Sequence, residues 1–250
     1  MNEKRFHCTA CGLCCTGIVP LTVDEAIRNA GLFPLAIAIS PVKPGGRGGK
    51  IMDRIGIKLD LPGRRSVLVS VMPVAFIPKT QSCPALAPDG LCSIHETKPL
   101  RCRAMPFYAY KDEDSQAEML VPRKDWLCDT GPTAPVVYKE RKIVERTDFA
   151  AEREALIAQT PILSRFVKML IQFDPAQAAR LAKASQSAIP GRLIVSFFSL
   201  LKSAGTSDLL TFAAMQEPVL QAWEGRTSSD PSLVDFSTYY RSALSELPRR

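Results

Sequence analysis

Apolar positions follow two rhythms along this chain, and the rhythm changes near residue 135. Before that point apolar residues come in short runs or alternate with polar ones, as strands and loops require. Residues 18–21 read as extended. Thr22 with Glu25 three positions on forms a capping box, so a helix opens there, carries Ala26, Ile27 and Ala30, and closes at Gly31. Residues 36–40 are apolar but too short to assign. Residues 41–49 form a loop rich in Pro and Gly. Residues 52–61 alternate in strand fashion, with Ile55, Ile57, Leu59 and Leu61 on one face. Residues 66–77 are rich in β-branched side chains and predict one or two strands broken at Pro73. These two runs form a hairpin across Pro62-Gly63. Asp89-Gly90 signals a tight turn, and residues 119–121 add another short strand.

Beyond residue 140 the spacing becomes helical. Residues 152–158 are helical, and Pro161 starts the next helix, with Ile162, Phe166, Met169, Leu170 and Phe173 along it. Asp174 caps a further helix with Pro175 in its first turn. Pro190-Gly191 starts a helix over 192–202. Ser207 or Asp208 caps residues 209–216, Pro218 to Trp223 continues, and Gly225 stops it. A last helix spans 236–244. This half predicts a helical bundle or appendage whose Met and Phe positions are core. Two regions follow from the change of rhythm: a cysteine-bearing domain at 1–135 and a helical region at 136–250.

Composition adds charge and thiols. The net charge is +7, and residues 43–65 supply much of it through Lys43, Arg47, Lys50, Arg54, Lys58, Arg64 and Arg65. That stretch has no aromatic residue to stack on a base, so it reads as a solvated strand face and loop, and nucleic acid is not an expected partner. The glycines of 45–49 lack the Gly-Lys-Ser/Thr ending of a phosphate loop. The longest apolar run, 193–201, is too short for a bilayer, so no membrane association is expected.

Cysteine usage changes the picture most. Cys8, Cys11, Cys14 and Cys15 fall within eight consecutive positions, Cys83, Cys92, Cys102 and Cys128 follow at wide intervals, and none lies beyond. Disulfides need an oxidising compartment, but residues 1–8 run into the cluster without a charged and then apolar leader, so a cytoplasmic location is expected. A redox pair needs two cysteines, not eight. Metal fits best: Cys-x-x-Cys turns converge two sulfurs on one ion, Gly12 suits such a turn, and thiolates suit Zn²⁺ or iron–sulfur clusters. Four thiolates on Zn²⁺ leave a charge of about −2, which Arg5, Arg101 and Arg103 are placed to offset.

The motifs together resemble a known family. Phe6-x-Cys8-x-x-Cys11-Gly12-x-Cys14-Cys15-x-Gly17, Cys83-Pro84-Ala85-Leu86, Gly90-Leu91-Cys92-Ser93-Ile94-His95 and Lys98-Pro99-Leu100-Arg101-Cys102-Arg103-Ala104-Met105-Pro106 are similar to the motifs of the YkgJ-like cysteine-cluster family of zinc- or iron-chelating domains. His95 stands where the family usually has Tyr, and Lys98 where it has Arg. The resemblance covers about residues 5 to 130. It implies metal chelation without naming a reaction. A flagellin lysine methylase has a similar cysteine pattern, which keeps a protein-modifying enzyme among the readings.

His7 and His95 adjoin cysteines and are candidate ligands, but eight thiols already fill two four-ligand sites. Asp112, Glu113 and Asp114 read as a solvated run, and Tyr108, Tyr110 and Trp126 as packing. There is no Ser/His/Asp set and no nucleotide or S-adenosylmethionine fingerprint.

The sequence therefore predicts an α+β protein: a loop-rich cysteine-cluster domain with a mostly helical C-terminal region. Its ligands are Cys8, Cys11, Cys14, Cys15, Cys83, Cys92, Cys102 and Cys128, holding zinc or an iron–sulfur cluster. They form two four-ligand sites, or one cluster with free thiols. Its partners are the metal ion and a protein docked on the helical region. The alternatives are a metal-dependent protein-modifying enzyme, and a metal-stabilised module whose basic segment docks an acidic partner.

Overall fold

The computed structural model describes residues 3–43, 49–61, 66–118, 126–187 and 191–248. Among these, the strands are β1 (Lys4–Arg5), β2 (Val19–Pro20), β3 (Leu35–Pro41), β4 (Ile57–Leu59), β5 (Val67–Ala75), β6 (Val136–Lys139), β7 (Lys142–Ile143) and β8 (Leu193–Ser196). The helices are α1 (Val23–Arg28), α2 (Met52–Ile55), α3 (Leu100–Arg103), α4 (Thr147–Phe173), α5 (Pro175–Gln186), α6 (Phe197–Ser203), α7 (Leu209–Thr227) and α8 (Val234–Glu246). The fold is α+β, with helices dominating the C-terminal region.

An antiparallel sheet runs β2-β5-β3-β8, with β4 also pairing β5. Its middle strand, β3, is buried at every position from Leu35 to Ile39. A strand covered on both faces shows no alternation, which is why residues 36–40 gave no sequence signal. β5 is continuous through Pro73. Phe76 N–H donates to the Pro34 carbonyl and Val42 N–H to the Leu68 carbonyl. That register makes the even-numbered residues of β5 exchange bonds with β3, so the Pro73 nitrogen faces the other edge, where no bond to β3 is lost. The expected hairpin pairing is present, with Ile57 opposite Val69 and Leu59 opposite Val67. Its turn at Pro62-Gly63, the strand expected at 119–121, and Arg47, Arg64 and Arg65 lie outside the described residues.

α1 forms as its capping box dictates. Thr22 Oγ1 accepts from Glu25 N–H, and a Glu25 carboxylate oxygen accepts from Thr22 N–H at 2.8 Å. The helix ends at Arg28, capped by Asn29, two positions before Gly31. Asp174 caps α5 by accepting from Gln177 N–H.

Several expectations are corrected. Residues 52–55 are helical before the chain extends as β4. Asp112 explains this: its carboxylate accepts from Lys50 N–H at 2.7 Å and Ile51 N–H at 3.0 Å and caps the turn. Gly49 is needed there, because its φ is +62° and a Cβ would stand 1.9 Å from the carboxylate. The acidic run is therefore structural, and Glu113 likewise accepts from Ile143 N–H and pairs with Arg146. Residues 193–196 are a strand, not the start of a helix. α4 runs through Pro161, and α7 runs through Pro218 and Gly225. In α4 the buried face continues on both sides of the proline through Phe149, Leu156, Leu163 and Phe166, and that burial outweighs a cost of about 3 kcal/mol.

The helical half is no separate bundle. β8 pairs with β3. One apolar cluster unites Leu35, Ile37, Val69 and Ile77 with Phe166, Leu181, Phe212, Trp223 and Tyr240. Both sheets thus cross the position near 135 where the sequence rhythm changes, since β1 pairs with β6. Among the described residues no helix is long and apolar enough to cross a membrane.

Candidate metal centre

Backbone pairing, rather than the Cys-x-x-Cys spacing alone, assembles the cysteines. His7 and Asp129 exchange two backbone bonds, of 2.8 and 3.0 Å. In an antiparallel pairing the next position on one strand faces the previous one on the other, so Cys8 comes beside Cys128. Thr9 Oγ1 adds a bond to the Leu127 carbonyl. A second bridge joins Thr16 and Ser82, and Cys83 N–H donates to the Cys15 carbonyl at 2.8 Å. Cys15 therefore lies beside Cys83. The Asp89-Gly90 turn closes as expected: Gly90 has φ +83°, and Asp89 Oδ1 accepts from Leu91 N–H. It pairs Cys92 with Leu86, whose own N–H donates to the Cys83 carbonyl. Cys83 and Cys92 both pack against the apolar core.

Cys102 arrives on α3, which three acidic side chains hold. Glu25 is buried and accepts from Leu100 N–H at 2.6 Å with the oxygen its capping box leaves over. Arg101 is buried against Glu152 of α4, with N–O contacts of 3.1 and 3.3 Å, donates to the Phe107 carbonyl, and lies over the Tyr108 ring. Arg103 pairs with Asp148 at 2.6 Å.

All eight thiols are free, Cys8 and Cys14 exposed and the others half-buried. Their electrostatics are those of crowded sulfurs in unequal surroundings. Cys11 is held below the ordinary thiol range because its sulfur accepts N–H bonds from Leu13 and Leu127. Cys14 donates to Cys15, which lowers Cys15 and raises Cys14. Burial pushes Cys83 up, opposed by N–H bonds from Ala85 and Leu86. Burial and the neighbouring Cys83 push Cys102 up to about 12 against the pull of Arg101. Burial, then Cys11 and Cys8, raise Cys128.

Of the expected counter-charges, Arg5 is taken up by Glu3 and the Ala134 carbonyl, and Arg103 by Asp148. The charge of Arg101 reaches Cys102. Lys98, which the sequence reading overlooked, acts on Cys14. His7 and His95 are both exposed. Among the described residues no three His, Cys, Asp or Glu side chains meet closely enough to hold an ion between them. The donor chemistry nonetheless suits a thiophilic metal: free thiols from four segments, backbone N–H groups on two sulfurs, and a buried guanidinium nearby.

No curated protein and no solved structure matches the chain. One family does match, over the segment that carries every cysteine. The model of the CxxCxxCC family, described as a "Putative zinc- or iron-chelating domain", matches residues 7–128.

Proposed function

We propose that this protein is a cytoplasmic metal-binding protein that chelates zinc or an iron–sulfur cluster through Cys8, Cys11, Cys14, Cys15, Cys83, Cys92, Cys102 and Cys128. The observation that carries the reading is that backbone bridges between segments far apart in sequence bring Cys8 beside Cys128 and Cys15 beside Cys83, with all eight thiols free. Free thiols in such number suit a reducing compartment. Binding deprotonates the ligands, and the cation offsets the burial, and after it the mutual repulsion, that raise Cys83, Cys102 and Cys128. Closing the coordination spheres takes side-chain rotation and small loop shifts, because the backbones are already paired. The N–H groups on Cys11 and Cys83 and the Arg101 charge then stabilise the thiolates.

Metal analysis and a visible spectrum on one anaerobically purified sample test this. Stoichiometric zinc in a colourless protein, or iron with acid-labile sulfide and broad visible absorption, supports it. Protein free of metal as purified, and unable to take up zinc or iron when reconstituted, overturns it.

A further inference from the structure

Residues 7–9 lie antiparallel to residues 127–129, in a register that two contacts fix. His7 and Asp129 exchange both backbone bonds, of 2.8 and 3.0 Å. Thr9 Oγ1 donates to the Leu127 carbonyl at 3.0 Å. Cys8 and Cys128 stand between these contacts, opposite one another. The approach to them is held as well, since Phe6 N–H donates to the Pro135 carbonyl and β1 pairs with β6.

In an antiparallel pair, doubly bonded positions alternate with unbonded ones, and side chains come closest at the unbonded ones. Cβ atoms there are about 4.5 Å apart, and a disulfide spans about 3.5–4.5 Å between its Cβ atoms. Next to the doubly bonded His7 and Asp129, Cys8 and Cys128 occupy such a position, so side-chain rotation with little backbone movement brings their sulfurs together. Cys15 and Cys83 differ. Cys83 N–H donates directly to the Cys15 carbonyl, which places them at the wider, bonded kind of position, with Cβ atoms about 5.5 Å apart. Access differs too. Residues 7–10 and Leu127 are exposed, and Cys128 is half-buried beneath Cys8, whereas Cys83 packs on the apolar core.

We infer that Cys8 and Cys128 form a modification site, a thiol pair that a small-molecule disulfide closes into a reversible bridge. The exposed Cys8 is reached first. Its thiolate attacks one sulfur of the oxidant, a bond to Cys8 forms, the oxidant's S–S bond breaks, and one small thiolate leaves. The Cys128 thiolate then attacks the Cys8 sulfur of this mixed disulfide and expels the second small thiolate. The protein gives up two thiol protons and two electrons, and the oxidant takes both and departs as two small thiols. Excess small thiol runs the exchange backwards. Resting on the metal-binding reading, the bridge also withdraws two ligands, so bridge and bound metal exclude one another and oxidation lowers the capacity for metal.

Oxidised glutathione is the probe. The full chain, reduced and freed of metal under anaerobic conditions, is exposed to it, digested without reductant and read by mass spectrometry. The expected first product links the peptide of Cys8 to that of Cys128, about tenfold faster than any other pair closes. Cys128→Ser stops the exchange halfway and leaves glutathione on Cys8, whereas Cys83→Ser bridges as the wild type does. Far-UV circular dichroism checks that both variants fold. A bridge from Cys128 chiefly to Cys11, whose sulfur also lies at the Leu127 N–H, overturns the pairing, as does accumulation of mixed disulfides alone in the wild type. Zinc bound beforehand is expected to slow bridging about tenfold or more. An unchanged rate in zinc-loaded protein overturns the exclusion and leaves the bridge standing. Protein that takes up neither zinc nor iron overturns the metal-binding reading, while the Cys8–Cys128 link is still read directly.

Discussion

Glu152 shows how one residue ties the cysteine region to the helices. Its carboxyl is 3% exposed and faces Arg101. Burial pushes its pKa up to about 7, against the lowering pull of Arg101 and with a further push from Glu25. The sign follows from proton counting. Between about pH 4.5 and about pH 7 the folded chain holds a proton that the unfolded chain has lost, so stability from this group is full below that window and is lost as pH rises through it. Glu152→Gln keeps a neutral polar side chain at every pH. Urea midpoints of both proteins, taken at about pH 5 and about pH 7.5, isolate the effect. The wild type is expected to lose stability relative to the variant as pH rises. A relative gain would mean that the Arg101 attraction, not burial, dominates. Below the window a neutral Glu152 leaves the Arg101 charge without its carboxylate partner.

At the scale of elements, buried glutamines join the helices to the cysteine-bearing segment. Gln159 of α4 accepts from Val23 N–H at the start of α1. Gln216 of α7 accepts from Leu35 N–H at 2.8 Å and donates to the carbonyls of Ala30 and Phe33 at 2.6 and 3.0 Å, beyond the end of α1. Gln216→Ala strands three buried backbone groups, and each unsatisfied group costs about 1–3 kcal/mol. The variant is expected to lose about 3 kcal/mol or more of stability, measured by chemical denaturation, whereas an exposed helical position such as Gln221→Ala should change little. A loss below about 1 kcal/mol would show that the loop rearranges to satisfy itself. Such contacts also explain what the sequence could reveal. The capping box of α1, the Asp174 cap, the β4–β5 pairing and the Asp89-Gly90 turn were legible, because each rests on residues within a few positions of one another. β3 and β8 were not, because apolar runs buried by distant helices carry no period that separates strand from helix. Pro161 and Gly225 misled, because their local cost is smaller than the burial that continues past them. Near the cysteines the Asp89-Gly90 turn was legible. The pairing of Cys8 with Cys128 was not, since the bridge that makes it spans more than a hundred residues.

For the whole molecule, the question is what the metal holds together. The main apolar cluster draws on both halves and needs no cysteine ligand to close: β3, β5 and β8 lie among side chains from α4 to α8. The cysteine segments meet this core through buried Ala85 and, at its margin, through Cys83, Cys92 and Ile94, and otherwise through isolated bridges and a few polar bonds. Binding energy from a metal therefore falls on the loops and not on the sheet, unlike small metal domains that unfold without their ion. Local opening should follow. When a strong chelator strips the protein, amide exchange is expected to accelerate in residues 8–17 and 83–103, while β3, β5 and α7 keep their protection and the far-UV dichroism is retained. Because α3 is anchored to α4 by Arg101 and Arg103, exchange around Cys102 should rise less than around Cys8. Uniform acceleration across the sheet and helices would instead mean that the thiolate centre, and not the shared apolar core, carries the fold. Hydrogen-exchange mass spectrometry on the same sample before and after chelation separates the two outcomes, because the peptides from β3 and α7 respond only in the second.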